Sequence, residues 1–305
     1  MTEEAKGVFA MIGACVVWGL SGVYYKLLDH VPPLEILVHR TLWAFLFFLL
    51  VLAFQGRLRA LPRAIATPRT FGIVAIAALM ISINWFVFIS SILFGYATEA
   101  SMGYYIFPLT AVLAGALFYR EKLNRPQMIS VGLATLAVVI LSVGLQVAPW
   151  VALILAFSFA AYGVVKKSLD TGPIVSVTAE VALLSPFAAA WLVVIQLQGT
   201  GHFGADFITT GLLIFAGIIT SIPLILFSYA TRRVSLATIG LVQYLNPTLQ
   251  FLVATLIFRE VFTLWHAIAF GLIWTALAIY TASSWRRGRA ARKASRAAST
   301  SGTTV

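Results

Sequence analysis

Tyr105-Ile106-Phe107-Pro108, running to Phe118-Tyr119-Arg120-Glu121, returns 139 positions later as Tyr244-Leu245-Asn246-Pro247, running to Ile257-Phe258-Arg259-Glu260. A tyrosine, a proline and an Arg-Glu pair all coincide at this constant offset. Self-similarity at a fixed spacing indicates that one structural unit occurs twice. The chain is therefore predicted to be a duplicated unit.

The composition places most of the chain in lipid. Of its 305 residues, 61% are hydrophobic and 10% are charged, whereas about 25% of a soluble domain is charged. A membrane-spanning helix needs about 20 apolar residues, and apolar runs follow one another from Val8 to Ser284, punctuated by proline and glycine. We predict an all-α membrane protein. Its ten transmembrane helices are expected at residues 8–28, 34–54, 71–94, 98–118, 127–145, 149–165, 175–196, 208–230, 237–257 and 264–284.

The repeat extends upstream, because residues 18–26 resemble residues 159–167 at an offset of 141. Each copy then holds five helices, and since five is odd the second copy enters the membrane from the opposite side. We expect two inverted five-helix repeats, an architecture typical of secondary transporters, whose sites lie near the midplane. The first repeat is predicted at 1–145 and the second at 146–285. The basic tail at 286–305 is expected to be disordered and cytoplasmic.

The basic residues indicate the orientation. The net charge is +11, and with a cytoplasmic N-terminus 18 of the 21 Lys and Arg residues fall in cytoplasmic segments. This asymmetry follows the positive-inside rule. We expect a multi-pass protein of the plasma (inner) membrane with both termini cytoplasmic. The charges lie between apolar runs rather than on one soluble face, so we expect no nucleic-acid partner.

Short motifs along nearly the whole chain carry a family resemblance. They are Trp18-Gly19, Tyr25-Lys26, Val31-Pro32, Glu35-Ile36-Leu37, His39-Arg40, Asn84-Trp85, Glu99 to Tyr105, Pro108-Leu109, Leu155 to Ala160, Tyr162-Gly163, Gln243-Tyr244 and Pro247-Thr248. On these residues the sequence resembles the RarD-type branch of the EamA permeases, in the drug/metabolite transporter superfamily. Phe107 departs from the pattern, because a polar residue is expected before that proline. The resemblance implies a permease, of a kind labelled for chloramphenicol resistance, that exports a small metabolite, amino acid or drug-like compound.

Polar residues within the second helix are candidates for substrate binding, because ionisable groups in lipid are costly and normally serve a purpose. His39 and Arg40 lie in this helix, and Arg40 is roughly 10 Å below its outer end. Its guanidinium is suited to a carboxylate or a phosphate. The alternative is that Arg40 reaches toward the interface or pairs with Glu35 or Glu180.

The other candidates lie in the third, fourth and ninth helices. Asn84 is near the middle of a helix, so its amide requires a partner, which is either an interhelical hydrogen bond or a wet cavity. Two polar aromatic clusters, Tyr104-Tyr105 and Gln243-Tyr244, occupy repeat-related positions, where a central site would form. The alternative is that the nearby prolines kink the helices and the tyrosines form interhelical bonds, but Gln243 and Asn246 add polarity that favours a site. The predicted substrate-binding set is His39, Arg40, Asn84, Trp85, Tyr104, Tyr105, Gln243, Tyr244 and Asn246.

Three carboxylates are candidates for proton coupling, namely Glu35, Glu99 and Glu180, because burial raises the proton affinity of a carboxylate. A capping role for Glu99 near a helix N-terminus is an equal alternative. Pro108 and Pro247 are predicted hinges, since proline removes a helical hydrogen bond. The two repeats are expected to rock about a central pocket.

Enzymatic and channel functions are the competing classes. The sequence has no nucleophile motif, no phosphate-binding loop and a single cysteine, and its four histidines lack metal-ligand spacing. We predict no catalytic residue, no metal and no cofactor. An integral-membrane lipid-modifying enzyme or a passive channel remains the alternative. The expected partners are the lipid bilayer and a small-molecule substrate, with the protein a monomer or homodimer.

Overall fold

The structure, a computed structural model, describes residues 2–120, 123–146, 148–166, 168–169, 171–234 and 236–301, with the backbone alone at 119, 236–237 and 284–301. Those residues form α-helices and one π-helical turn, with no β-strand among them, which confirms the all-α class. The elements are α1 (Glu3–Lys26), α2 (Pro33–Phe54), α3 (Ala60–Ala64), α4 (Pro68–Leu93), α5 (Ala97–Tyr119), α6 (Arg125–Leu145), α7 (Trp150–Lys166), α8 (Pro173–Leu197), α9 (Phe207–Thr231), α10 (Leu236–Gln243), α11 (Leu245–Leu252), the π turn (Val253–Ile257) and α12 (Leu264–Ser301).

Eight of the described helices are long and apolar enough to cross a membrane: α1, α2, α4, α5, α6, α8, α9 and the part Leu264–Ser283 of α12. Each coincides with a predicted span. Helix α7 is a shorter apolar helix at the predicted sixth span. The predicted ninth span, 237–257, is occupied by α10, α11 and the π turn.

Hydrogen bonds at the N-caps explain why two helices, α1 and α4, begin earlier than predicted. At α1 the Thr2 hydroxyl accepts a hydrogen bond from the N–H of Ala5, so the helix starts before the apolar run. At α4 the side chains of Thr67 and Thr70 bond reciprocally to each other's backbone N–H, with Pro68 at the first helical position. Both caps satisfy N–H groups that have no partner within the helix.

The predicted ninth span is wrong as a single helix. It breaks at Tyr244, between α10 and α11, and ends in the π turn. Pro247 has no N–H to bond to the carbonyl of Gln243, and its ring crowds that turn. Pro108, at the repeat-related position, lies inside a continuous α5.

Helix α12 extends beyond the predicted last span. It ends at Ser301, and the disorder expected of residues 286–305 stays a prediction. Alanine, arginine and lysine dominate this segment, and all three favour the helix. Residues 302–305 lie outside the described part of the chain.

The helices pack closely around a central cavity. Helix α1 contacts α9, α10 and α11; α2 contacts α8 and α9; α7 contacts α4 and α5; and α6 contacts α12. Small residues permit this close packing, since a Cβ on Gly217 of α9 would collide with the backbone carbonyl carbon of Trp43 in α2. Large apolar side chains such as Phe54 and Phe207 are exposed on the outer surface, where lipid would cover them.

Candidate functional site

The cavity occupies about 700 Å³ between helices of both predicted repeats. This lies within the range of roughly 300–1,000 Å³ that is typical of small-molecule sites. Aromatic side chains form much of its wall. They are Trp18, Tyr25, Phe48, Trp85, Phe88, Tyr104, Phe107, Phe159, Tyr162, Phe227, Tyr244 and Tyr280.

The cavity runs from a buried end to a more exposed end. At the buried end Arg40 is 6% exposed. The other end is lined by Lys166, whose side chain is 20% exposed, by Thr171 before α8 and by Thr281 in α12. These three residues lie where α7 ends, where α8 begins and near the end of the apolar part of α12. The cavity therefore reaches one end of the helix bundle.

Arg40 lies against aromatic rings rather than against an acid. Its guanidinium carbon is 4.2 Å from the ring centroid of Trp85 and 5.8 Å from that of Tyr25. Its Nε and Nη1 are buried and donate a hydrogen bond to no partner among the described residues. No described carboxylate forms an ion pair with it, so neither of the predicted pairings, with Glu35 or with Glu180, is present.

His39, beside Arg40 in sequence, does not line the cavity. Its ring is 3% exposed and stacks on Phe203 with centroids 4.8 Å apart. Successive residues on a helix point about 100° apart, because the helix has 3.6 residues per turn. Only Arg40 of the predicted pair is directed into the cavity.

Asn84 joins three helices at the cavity wall. Its Nδ2 donates to the carbonyl of Leu155, at 3.0 Å, and to the hydroxyl of Ser158, at 3.1 Å, both in α7. Its Oδ1 accepts a hydrogen bond of 3.0 Å from the Tyr104 hydroxyl in α5. Asn84 is 1% exposed, so its polar atoms are satisfied by protein, as the interhelical alternative predicted.

The repeat-related tyrosines are placed differently. The Tyr105 hydroxyl lies 2.7 Å from that of Thr248, and its ring packs on Phe270, so Tyr105 does not line the cavity. Tyr244 does line it, at the break between α10 and α11, together with Gln243, Asn246 and Pro247. The Asn246 Oδ1 accepts a hydrogen bond from Gln250.

Glu180 is held in a buried polar network that sequence reasoning did not find. Its carboxylate accepts hydrogen bonds from Lys166 at 2.6 Å, from Tyr162 at 3.0 Å and from Ser176 at 3.1 Å. Glu180 is 1% exposed and does not line the cavity, whereas Lys166 does. The sequence does mark Glu180 as the counterpart of Arg40. Arg40 lies seven residues after the proline that begins α2, and Glu180 lies seven residues after the proline that begins α8.

At the opposite end of the bundle, acidic side chains join segments distant in sequence. Glu35 at the start of α2 accepts hydrogen bonds from the backbone N–H of His202, at 2.6 Å, and from its ring Nδ1, at 2.8 Å. The two oxygens of Glu260 each accept a hydrogen bond of 2.7 Å, from the N–H groups of Ala97 and Thr98 at the start of α5. Glu99 is partly buried in the first turn of α5.

Charge-assisted bonds to a helix N-terminus are favourable, because the carboxylate satisfies N–H groups without a helical partner. These contacts therefore close the end of the bundle at which α2 and α5 begin. Glu35 and Glu260 each join segments distant in sequence, and neither lines the cavity. No group of three or more described His, Cys, Asp or Glu residues is arranged to hold a metal ion.

Comparison with known proteins identifies the family and the fold of the chain. Residues 5–143 match the EamA-like transporter family. The uncharacterized transporter YojE of Bacillus subtilis (strain 168) is 38% identical over 294 residues, which cover 93% of this chain and 97% of YojE. The protein RarD of Streptomyces exfoliatus is 38% identical over 291 residues, covering 95% of this chain and 92% of that protein. A solved crystal structure, 17% identical, shares the fold with a TM-score of 0.58 over 90% of this chain and 97% of its own.

Proposed function

This chain belongs to the EamA-like transporters, as a RarD-type permease of the drug/metabolite transporter superfamily, and we propose that it exports a small metabolite, amino acid or drug-like compound by alternating access. The observation that carries the proposal is the central cavity, which reaches one end of the bundle while Glu35 and Glu260 tie the other end closed. A carrier in one state of an alternating cycle has this form.

Two inverted repeats, at 1–145 and 146–285, form the scaffold of the proposed cycle. Arg120 and Arg259, which align in the two copies, both adopt a left-handed backbone, with φ of 54° and 53°. The packing is paired in the same way, since α4 contacts α7 as α9 contacts α1. These features support a ten-span topology in which α7 and the broken segment from α10 to the π turn are the two further spans. Helix α7, with 17 residues, is about 26 Å long.

The orientation follows from the distribution of basic residues. With both termini cytoplasmic, most of the Lys and Arg residues lie on the cytoplasmic side of the inner membrane. The exposed end of the cavity, at Lys166 and Thr171, then faces the cytoplasm. In this orientation the proposed cycle collects the substrate for export from an inward-open state.

Within the cavity, the substrate contacts are assigned to residues that line it. They are Arg40, Asn84, Trp85, Tyr104, Gln243, Tyr244 and Asn246. Pro108 and Pro247 act as hinges, and the break at Tyr244 already interrupts the helix beside Pro247. Proton coupling is assigned to Glu35, Glu99 or Glu180, because Glu35 and Glu180 are buried and Glu99 is partly buried. The protein works as a monomer or homodimer.

Proteoliposome counterflow tests the proposal. Purified protein is reconstituted with amino acids, small metabolites or chloramphenicol inside, and uptake of the labelled compound is compared among wild type, Arg40→Ala and Tyr244→Ala. A carrier transiently concentrates the label, whereas a passive channel only equilibrates it. Loss of uptake by about tenfold or more in the variants is expected from a lost charged or polar contact.

Cross-linking the exposed end of the cavity tests the alternating-access mechanism. A bifunctional maleimide joins Thr171→Cys to Thr281→Cys across the exposed end of the cavity, in a Cys15→Ser background. Alternating access requires that end to close and reopen, so cross-linking is expected to stop counterflow. Undiminished flux in the cross-linked protein would contradict alternating access.

A further inference from the structure

We propose that the cavity selects organic monoanions, with a carboxylate held at the guanidinium of Arg40 and an aromatic or branched apolar body against the aromatic wall. This inference rests on the proposed transport function and names the class of its substrate. The evidence is the balance of charge in the cavity, the burial of Arg40 and the chemistry of the wall.

Counted over the described residues, the cavity lining carries one uncompensated positive charge. Arg40 and Lys166 line it, and no described lining residue is acidic. Lys166 is neutralised by Glu180, whose carboxylate is 2.6 Å away. Arg40 has no carboxylate partner among the described residues. The net charge favours a ligand with a single negative charge over a dianion.

The burial of Arg40 makes this charge costly in the empty protein. Only 6% of the residue is exposed, and two of its guanidinium nitrogens lack a hydrogen-bond partner. A buried charge without a counter-ion destabilises the fold, and the rings of Trp85 and Tyr25 offset that cost without neutralising it. A charged group at membrane depth normally faces a substrate or a partner. Arg40 lines the cavity, and no carboxylate of the described chain pairs with it.

The wall around Arg40 determines the rest of the ligand. Trp85, Tyr25 and Tyr104 surround the guanidinium end, and Phe107, Phe159 and Tyr244 continue the aromatic surface. Such a wall binds rings and branched apolar groups through stacking and burial. A carboxylate at Arg40 would accept charge-assisted hydrogen bonds. A neutral compound such as chloramphenicol leaves Arg40 without a counter-ion and is expected to bind more weakly than an anion of similar size.

The test compares phenylpropionate with phenylpropanamide, which has the same shape but no charge. Binding to the purified full-length protein in detergent is followed by the rise in melting temperature with ligand concentration. Phenylpropionate is expected to bind about tenfold or more tightly than the amide, and more tightly than phenyl phosphate as a dianion. Equal affinity for acid and amide would overturn the proposal. Failure of phenylpropionate to stabilise the wild type at any concentration would also overturn it.

The variant Arg40→Gln tests whether Arg40 is the residue that gives the preference for the acid over the amide. The preference for the acid over the amide is expected to disappear in this variant and to be partly retained in Arg40→Lys. Arg233→Gln is the matched control, since Arg233 also lies over a ring, that of Tyr229, but pairs with Glu3 outside the cavity. The control is expected to keep the wild-type preference. An undiminished preference in Arg40→Gln would overturn the proposal.

The empty protein gives an independent readout. Removing an uncompensated buried charge is expected to raise the melting temperature of ligand-free Arg40→Gln, whereas loss of a structural tie would lower it. A lowered melting temperature would therefore contradict the proposed role.

Transport is measured separately from binding. Phenylpropionate binding that depends on Arg40, in a protein that shows no counterflow, would overturn the proposed transport function but not the proposed anion site.

Discussion

The carboxylate of Glu35 accepts hydrogen bonds from both the backbone N–H and the ring Nδ1 of His202, which lies 167 residues further along the chain. This contact joins the start of α2, in the first proposed repeat, to the segment before α9, in the second. The carboxylate is buried, with its side chain 3% exposed, so opening this end of the bundle requires the contact to break.

Glu35→Ala is expected to favour the state that is open at this end, because His202 loses both acceptors. Accessibility reports the change: Ser21 lines the cavity, so Ser21→Cys in a Cys15→Ser background is reacted with a membrane-impermeant maleimide applied to intact cells. We expect faster labelling with Glu35→Ala than without it. Glu3→Gln, an exposed acid at the N-terminus, is the control, and equal labelling in all three proteins would contradict the role of this contact.

Lys166→Met is expected to destabilise the protein by about 3–5 kcal/mol, because it leaves Glu180 buried without its counter-ion. The double variant Lys166→Met with Glu180→Met removes both charges and is expected to recover most of that loss. Unfolding equilibria in detergent micelles provide the measurement. A double variant as unstable as the single one would show that the network serves a purpose other than charge compensation.

Tyr104→Phe and Asn84→Ala are expected to be coupled, because the tyrosine hydroxyl donates to the Asn84 Oδ1. Interhelical hydrogen bonds in membrane proteins average about 0.6 kcal/mol, so a double-mutant cycle is expected to give a coupling energy of that order. Tyr105→Phe, which loses the contact with Thr248 instead, serves as the control. Coupling of Asn84 to Tyr105 as strong as that to Tyr104 would contradict the assignment.

The proposed topology predicts which loops are reached from outside the cell. Thr200, between α8 and α9, and Ala66, between α3 and α4, are both exposed at loop positions. In a Cys15→Ser background, Thr200→Cys is expected to react with an impermeant maleimide on intact cells, and Ala66→Cys only after the cells are permeabilised. The reverse pattern would invert the orientation, and labelling of both would contradict the number of spans between them.

The sequence alone identified the membrane class and the family, because apolar runs of membrane length and motifs spread over the chain are local features. It also located the helices closely, since lipid requires each run to satisfy its own backbone hydrogen bonds. It did not predict the interruption at Tyr244. The length of an apolar run does not show where proline breaks the hydrogen-bond pattern within it.

Which polar residues face the cavity was decided only by the tertiary structure. His39 and Arg40 are equally polar neighbours in sequence, yet one stacks on Phe203 and the other lies over Trp85 in the cavity wall. Tyr104 and Tyr105 are also neighbours in sequence, yet only Tyr104 lines the cavity. The reason is that rotation about a helix axis and the choice of neighbouring helix depend on packing between distant segments. That packing also gave Glu180 a counter-ion in Lys166, while no carboxylate in the described part of the chain pairs with Arg40.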